Sequence, residues 1–240
     1  MLYYKTMIGK DETVHITWCH HGTIDNYFAV SILDLIKMFP THISSWNSVQ
    51  GLGLLSKSRN IGVKHFLDET DDDWLFMVDS DEYITIDAFA KLVNLADAEE
   101  TPFVSGLYFA ANWKTPTELE PVPLIFTLTE DKGVQPLLDY PKDKPVEVYA
   151  AGTGCLLIHR SVLEKMREDF GDQWGYNWAW FQDGPIGEDK WLSEDLSFCD
   201  RVNAAGFKIV AHTGALIPHR KQMWVMESHY EEWLKTHELY

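Results

Sequence analysis

The sequence predicts a single α/β domain built on a mostly parallel sheet with helices on its faces. Three observations predict it. From Thr13 to Ala110, strand-like and helix-like segments alternate with short connections, the order expected of βαβ units. One uninterrupted apolar run, Trp74 to Val78, has the character of a strand buried on both faces. The length of 240 residues and the 45% hydrophobic content suffice for one full core. No internal repeat, low-complexity tract or linker divides the chain.

Taken in order, Thr13 to Trp18 is β-branched and weakly alternating, a first strand that His20-His21-Gly22 breaks. Phe28, Ile32, Leu35, Ile36 and Phe39 recur at helical spacing, with Asp25 as N-cap and Pro40 as stop. A second strand covers Ile43 to Val49, and a second helix covers Leu54 to Glu69. The Asp71-Asp72-Asp73 turn then leads into Trp74 to Val78. Thr85 caps a helix that runs through Asp97, and Phe103 to Ala110 reads as one strand. Asn112 to Pro123 is rich in Pro and Thr and reads as a loop, followed by a short strand, Leu124 to Leu128. Asp131 to Pro145 reads as an exposed excursion. Val146 to Ile158 holds two apolar runs broken by Gly152-Thr153-Gly154, and Ser161 with Glu164 forms a capping box for the next helix. Ser193 caps a helix carrying Leu196, Cys199, Val202 and Ala205, which Gly206 closes. Phe207 to Ala211 is a closing strand, and Ser228 with Glu231 opens a C-terminal helix over residues 226–240.

Composition narrows the partners. The net charge of −17 argues against a surface built broadly for polyanions. Cys19, Cys155 and Cys199 are far apart and match no zinc or CxxC spacing, so they read as reduced thiols. No stretch approaches a membrane span, and the first residues lack the apolar run of a signal peptide. The expectation is a soluble, cytoplasmic protein.

The chemistry gathers at few places. Asp79 and Asp81 follow the buried run directly, at the end of a strand where α/β proteins bind ligands. Two acids there suit a divalent cation whose other ligands are nucleotide phosphates. Spacing alone proves little, because 20 Asp in 240 residues supply one or two such triplets by chance, and Asp71 to Asp73 is another. Position is what separates the two. Ser58 and Arg59 sit on the second helix, which returns toward the same crevice. The histidines His20 and His21 read either as solvated loop residues or as groups facing a nucleotide. Gly152 and Gly154 mark either close approach to a ligand or a bulge. Trp174, Tyr176, Trp178, Trp180, Phe181 and Trp191 crowd one loop, as ring-binding faces or as a buried cluster. Glu194 and Asp195 fall in the first turn of a helix, where the dipole favours acids for structural reasons and also keeps a catalytic carboxylate ionised.

The ordered set resembles the GT-A family of nucleotide-sugar glycosyltransferases. The strand ending in VDSD, the GTG segment, SEDLSFCDRVNAAGFKI and the late His219 carry the resemblance, from about Val14 to His219. It is similar to the small single-domain members of bacteria and bacteriophages. The resemblance implies one domain over 1–240, with a donor half over about 1–110, an acceptor half over about 111–220, and the C-terminal helix. It implies Asp79, Asp81 and His219 as metal ligands, with Mn²⁺ or Mg²⁺ as the ion. It implies Thr17, Ser58, Arg59, Asp79, Ser80, Asp81, Gly152 and Gly154 around a nucleoside-diphosphate sugar, UDP ahead of GDP. Asp195 or Glu194 would be the catalytic base, and the aromatic loop would close over donor and acceptor. The acceptor would be a hydroxyl on a protein, glycan or small molecule, with hydroxymethylated DNA second. Two other classes compete. A haloacid-dehalogenase phosphohydrolase also places two such acids after a strand, but wants Thr or Val where Tyr83 stands. A non-catalytic sugar-nucleotide binder would have little use for the retained acids and His219.

Overall fold

The computed structural model describes residues 8–221 apart from 10, 52, 116–117, 132, 175–179 and 187–189, together with 227 and 230. The first half of the chain gives β1 (Val14–His20), α1 (Asn26–Met38), β2 (Ile43–Gln50), α2 (Leu55–Glu69), β3 (Trp74–Asp79) and α3 (Ile86–Leu95). Seven strands without an intervening helix follow: β4 (Phe103–Leu107), β5 (Phe109–Trp113), β6 (Leu119–Pro123), β7 (Ile125–Leu128), β8 (Val134–Pro136), β9 (Pro145–Val148) and β10 (Ala150–Ala151). The chain then forms β11 (Cys155–His159), α4 (Arg160–Trp174), β12 (Gly184–Ile186), β13 (Lys190–Leu192), α5 (Glu194–Ala204) and β14 (Ile209–Leu216).

The main sheet has the order β2-β1-β3-β11-β4-β14-β9. Strands β2, β1, β3, β4 and β14 run one way, and β11 and β9 run against them. The sheet is therefore mixed and mostly parallel. Side-chain alternation sorts β3 between two cores. Trp74, Phe76 and Val78 pack with α1 and α3, whereas Leu75 and Met77 pack with α2, α4 and α5. All five are at most 2% exposed, each worth roughly 1.5–3 kcal/mol relative to exposure. The caps behave as the sequence predicts: Asp25 accepts from Tyr27 N, Thr85 from Ala88 N, and Ser193 from Leu196 N.

Several expectations need correction. Phe103 to Ala110 is not one strand. The chain leaves the main sheet at Tyr108, whose carbonyl accepts from Leu124 N, and β5 pairs with β6 as a separate hairpin. Asn112 to Pro123, expected as a loop, forms the end of β5 and all of β6 in that hairpin; Pro121 and Pro123 occupy positions that point away from the partner and remove no ladder bond. The excursion before Pro145 contains β8, which pairs with β7. Ser161 is not a cap, because α4 already begins at Arg160 and His159 Nδ1 receives the Ser161 N–H. Trp180 and Phe181 offer no face to a ligand. They are 0% and 1% exposed, with Phe181 stacked on Phe198 at 4.2 Å. Trp191 alone of the described aromatic side chains of that stretch is exposed, on β13. Tyr176 and Trp178 lie outside the described residues, as does most of the expected C-terminal helix; of it only Glu227 and Tyr230 are described, both helical.

Candidate functional site

A cleft of about 460 Å³ opens where β1, β2 and β3 end, the side on which parallel sheets present ligand sites. Its walls carry Cys19, His20 and His21 from the end of β1, Gly51 after β2, and Leu55, Ser58 and Arg59 from α2. Asp79, Ser80 and Asp81 form one margin, with Glu194 and Asp195 of α5, Tyr108 and Leu124, and His219 and Lys221 around them.

Arg59 organises the centre. Its side chain is 2% exposed. Nη1 donates to Glu194 Oε1 and to Asp195 Oδ1, both at 2.9 Å. Nη2 donates to Asp79 Oδ1 and Oδ2 at 3.0 and 3.1 Å. One planar fork therefore joins the strand-end acid to both acids of the helix start, which a point-like ammonium could not do. Burial alone would lower the Arg59 pKa, but Asp79, Asp195, Tyr108 and Glu194 raise it above its ordinary value. Burial pushes the Asp79 carboxyl up against the pull of Arg59. Glu194 is raised as well, first by burial and then by Asp195. Thr153, fully buried, also donates to Asp195 Oδ1. No hydrogen bond to Asp195 Oδ2 occurs among the described residues.

The second acid has different company. Asp81 Oδ2 lies 3.1 Å from His219 Nε2 and 3.3 Å from Lys221 Nζ, which also contacts His219 Nε2. Burial opposes ionisation of Asp81, but His219 and Lys221 outweigh it and hold the carboxyl below its usual range. His219 Nδ1 faces the Phe109 carbonyl at 3.1 Å. That oxygen can only accept, so Nδ1 carries a proton, and Nε2 is the nitrogen turned toward Asp81.

Beneath these groups, Glu82 is 1% exposed, and neither carboxylate oxygen has a hydrogen-bond partner among the described residues. Burial, and then Asp79 and Asp81, raise its pKa well above the carboxylate range. The two glycines of the GTG segment fit around this layer. A Cβ on Gly152 would sit 2.3 Å from the Tyr108 hydroxyl, and one on Gly154 would sit 2.5 Å from Glu82 Oε1. Their space is taken by protein side chains on that side.

The structure thus brings Ser58, Arg59, Asp79, Ser80, Asp81, Glu194, Asp195 and His219 to one cleft. Gly152 and Gly154 lie in the layer below it. Thr17 is 1% exposed and packs against Gly62, so it supports α2 and does not line the cleft. Among the described residues no three His, Cys, Asp or Glu side chains form a ready-made metal cage. Sequence reasoning gave Tyr108 and Thr153 no role, and read Lys221 only as part of the short basic pair Arg220-Lys221, not as a partner of Asp81. Lys221 had the one available signal, its place two residues after His219.

No protein-family model and no curated protein matches the chain. Solved structures do match it in fold. One is described as "Crystal Structure of A197 from STIV", with a TM-score of 0.50, 18% identity, and 83% of this chain and 81% of that one covered. Another is GalNAc-T7 with UDP, GalNAc and Mn²⁺, at a TM-score of 0.47 and 13% identity, covering 88% of this chain and 44% of that one. A third is a glycosyltransferase involved in glycosylation of the major capsid of PBCV-1, at 0.47 and 12%, covering 93% and 99%. The likeness is one of architecture: the chain has the mixed α/β fold of the first of these. Among the described residues, no helix is long and apolar enough to cross a membrane.

Proposed function

We propose that the protein is a metal-dependent glycosyltransferase that moves a sugar from a nucleoside-diphosphate sugar, UDP ahead of GDP, to a hydroxyl acceptor. The observation that carries this reading is the Arg59 fork, which holds the acid at the end of β3 and the acids that open α5 in one cleft. A strand-end acid with a helix-start acid across a cleft suits a reaction in which one margin grips a diphosphate and the other deprotonates a hydroxyl.

The residues fit a divalent cation on the evidence of their donor set. Asp81 Oδ2 and His219 Nε2, both groups that ligate metal ions, lie 3.1 Å apart with the Lys221 ammonium against both. The His219 Nδ1 contact with the Phe109 carbonyl is the outer support that metal-binding histidines use. The margin as a whole carries Asp79, Asp81, Glu194 and Asp195 against Arg59 and Lys221, an excess of acid that calls for a cation. Asp81 and His219 would hold the ion, with Asp79 beside it; carboxylate with imidazole suits Mn²⁺ or Mg²⁺. When bound, such an ion neutralises charge on the departing diphosphate.

The chain's own groups supply the rest. Lys221 is placed to meet phosphate oxygen once released from Asp81. His20, His21 and Ser58 surround the space left for the nucleoside. Asp195 is held by Arg59 and Thr153 through Oδ1, which leaves Oδ2 for the acceptor proton. In an inverting transfer, the acceptor oxygen bonds to the anomeric carbon as its proton passes to Asp195. The bond from that carbon to the phosphate oxygen breaks, and the nucleoside diphosphate leaves with the electron pair.

Calorimetry with UDP- and GDP-sugars, with and without Mn²⁺, tests the reading. Binding should need the ion and should be lost in Asp81→Asn with His219→Ala. Full-strength binding in chelator would sink the metal assignment, and no binding of any nucleotide sugar would sink the whole.

A further inference from the structure

The β5–β6 hairpin rises directly from the cleft. Tyr108, just before β5, and Leu124, just after β6, both line it. The pairing register shows which edge of the hairpin is open. Leu124 N donates to Tyr108 O and Lys114 N donates to Glu118 O. Stepping by two, Ala110 with Val122 and Asn112 with Glu120 are the hydrogen-bonded pairs. Phe109, Ala111 and Trp113 on β5, and Leu119, Pro121 and Pro123 on β6, therefore point their backbone groups outward.

The two edges are treated differently. On β6 two of the three outward positions, Pro121 and Pro123, are prolines, which offer no N–H to a further strand, the usual protection of an edge, and only Leu119 at the tip keeps one. On β5 the outward N–H and C=O of Ala111 and of Trp113 have no hydrogen-bond partner among the described residues, and this two-stranded sheet pairs with nothing else. The edge also leads into the site: the outward carbonyl of Phe109 is the one that His219 Nδ1 contacts. Ala111 stands two residues further out, about 7 Å along the strand. At the tip, Trp113 is 42% exposed and Leu119, its cross-strand neighbour, 46%, an apolar ledge for alternate side chains.

We infer that the open edge of β5 is an acceptor-docking edge, which takes an extended polypeptide segment as a third strand and leads its hydroxyl side chains to the cleft. Backbone pairing supplies affinity, and the Trp113–Leu119 ledge supplies selectivity, as in strand addition generally. The edge is committed to a peptide rather than to a second copy because its inner end is already joined to His219. The inference rests on the glycosyl-transfer reading and names the acceptor class for it.

The test uses the full chain, a panel of UDP- and GDP-sugars, and short Ser/Thr peptides flanked by lysines, with sugar incorporation read by mass. Each peptide is also made N-methylated at one backbone position at a time. Only every second N–H of a docked strand faces its partner, so transfer should be lost at alternate positions and kept at those between. Ala111→Pro deletes the outward N–H without touching the hairpin's own ladder. It should lower kcat/KM for peptide by about tenfold or more, while Pro121→Ala on the other edge should not. The N-methyl series needs no variant, so it decides the matter if Ala111→Pro fails to fold. Tolerance of N-methylation at every position, equal loss at every position, or unchanged transfer by Ala111→Pro would overturn the inference. So would transfer to free glycans or hydroxymethylated duplexes but to no peptide, or a dimer in solution that Ala111→Pro dissolves. A wild-type chain that binds no nucleotide sugar withdraws the broader reading instead, and calorimetry separates that case from the others.

Discussion

A guanidinium that is 2% exposed and shared by three carboxylates has no neutral substitute. Arg59→Met would leave Asp79, Glu194 and Asp195 crowded without a counter-charge, at a cost of about 3 kcal/mol. Urea unfolding should show that loss, and a stability within experimental error of wild type would refute the central role given to Arg59. Asp195→Asn poses the complementary question. It keeps the side-chain shape, and an amide oxygen can still accept from Arg59 and Thr153. Transfer should fall by about 10²–10⁴-fold with nucleotide affinity little changed. If turnover stays near normal and only stability drops by roughly 0.3–1 kcal/mol, the residue serves the helix dipole and not the reaction. At this scale the acids were legible, because a carboxylate after a buried strand or in a helix's first turn stands out locally. The hub was not. Arg59 lies in the middle of an ordinary amphipathic helix, and its partners Glu194 and Asp195 are 135 and 136 residues away.

Elements were legible where one periodicity held and a cap or breaker closed it. In α3, Thr85 caps the helix and Phe89 faces inward as the spacing foreshadows, and there it reaches both Phe39 and Phe76 at 5.0 Å. The hairpin was illegible because prolines usually argue against strands, and only the pairing register shows that these two face outward. The GTG segment was ambiguous for a related reason: glycine signals close approach without saying what approaches. Here Tyr108 and Glu82 do. Gly154→Ala would place a methyl 2.5 Å from Glu82 Oε1 and 2.9 Å from the Tyr108 ring. We expect a loss of about 1–3 kcal/mol in urea unfolding, because β11 begins at the next residue and has no freedom to retreat. An unaltered unfolding midpoint would mean that this layer is looser than its distances state.

At the scale of the whole molecule, the mostly parallel sheet follows from the alternation of strands and helices, but the sheet order and the buried polar network at the sheet's other end do not. His15 is 1% exposed, with Nδ1 2.7 Å from Ser45 Oγ and Nε2 2.9 Å from Asn47 Oδ1. Asp72 stands 3.9 Å away, and the rings of His65 and Phe66 and the Arg160 side chain complete its surroundings. Burial is the main cause that lowers its pKa below 6.5, against the pull of Asn47 and Asp72. His159 and His212 are lowered too, again chiefly by burial. A histidine with a lowered folded pKa binds fewer protons folded than unfolded. Its contribution is therefore intact above 6.5 and is lost as pH falls from there toward the folded value. Each such histidine removes at most about 1.4 kcal/mol per pH unit in that window. Asp79, Glu82 and Glu194, whose pKa values are raised, act in the opposite direction, so the wild-type profile alone mixes the two. Their contribution is common to wild type and His15→Gln, and the difference between the two profiles isolates the histidine. Urea unfolding from about pH 7.5 to about pH 5.5 should show a shallower acid decline in His15→Gln than in wild type. Parallel profiles would mean that folding leaves the His15 pKa unchanged, and a steeper decline in the variant that His15 is charged in the folded protein and paired with Asp72; either outcome refutes the lowered value.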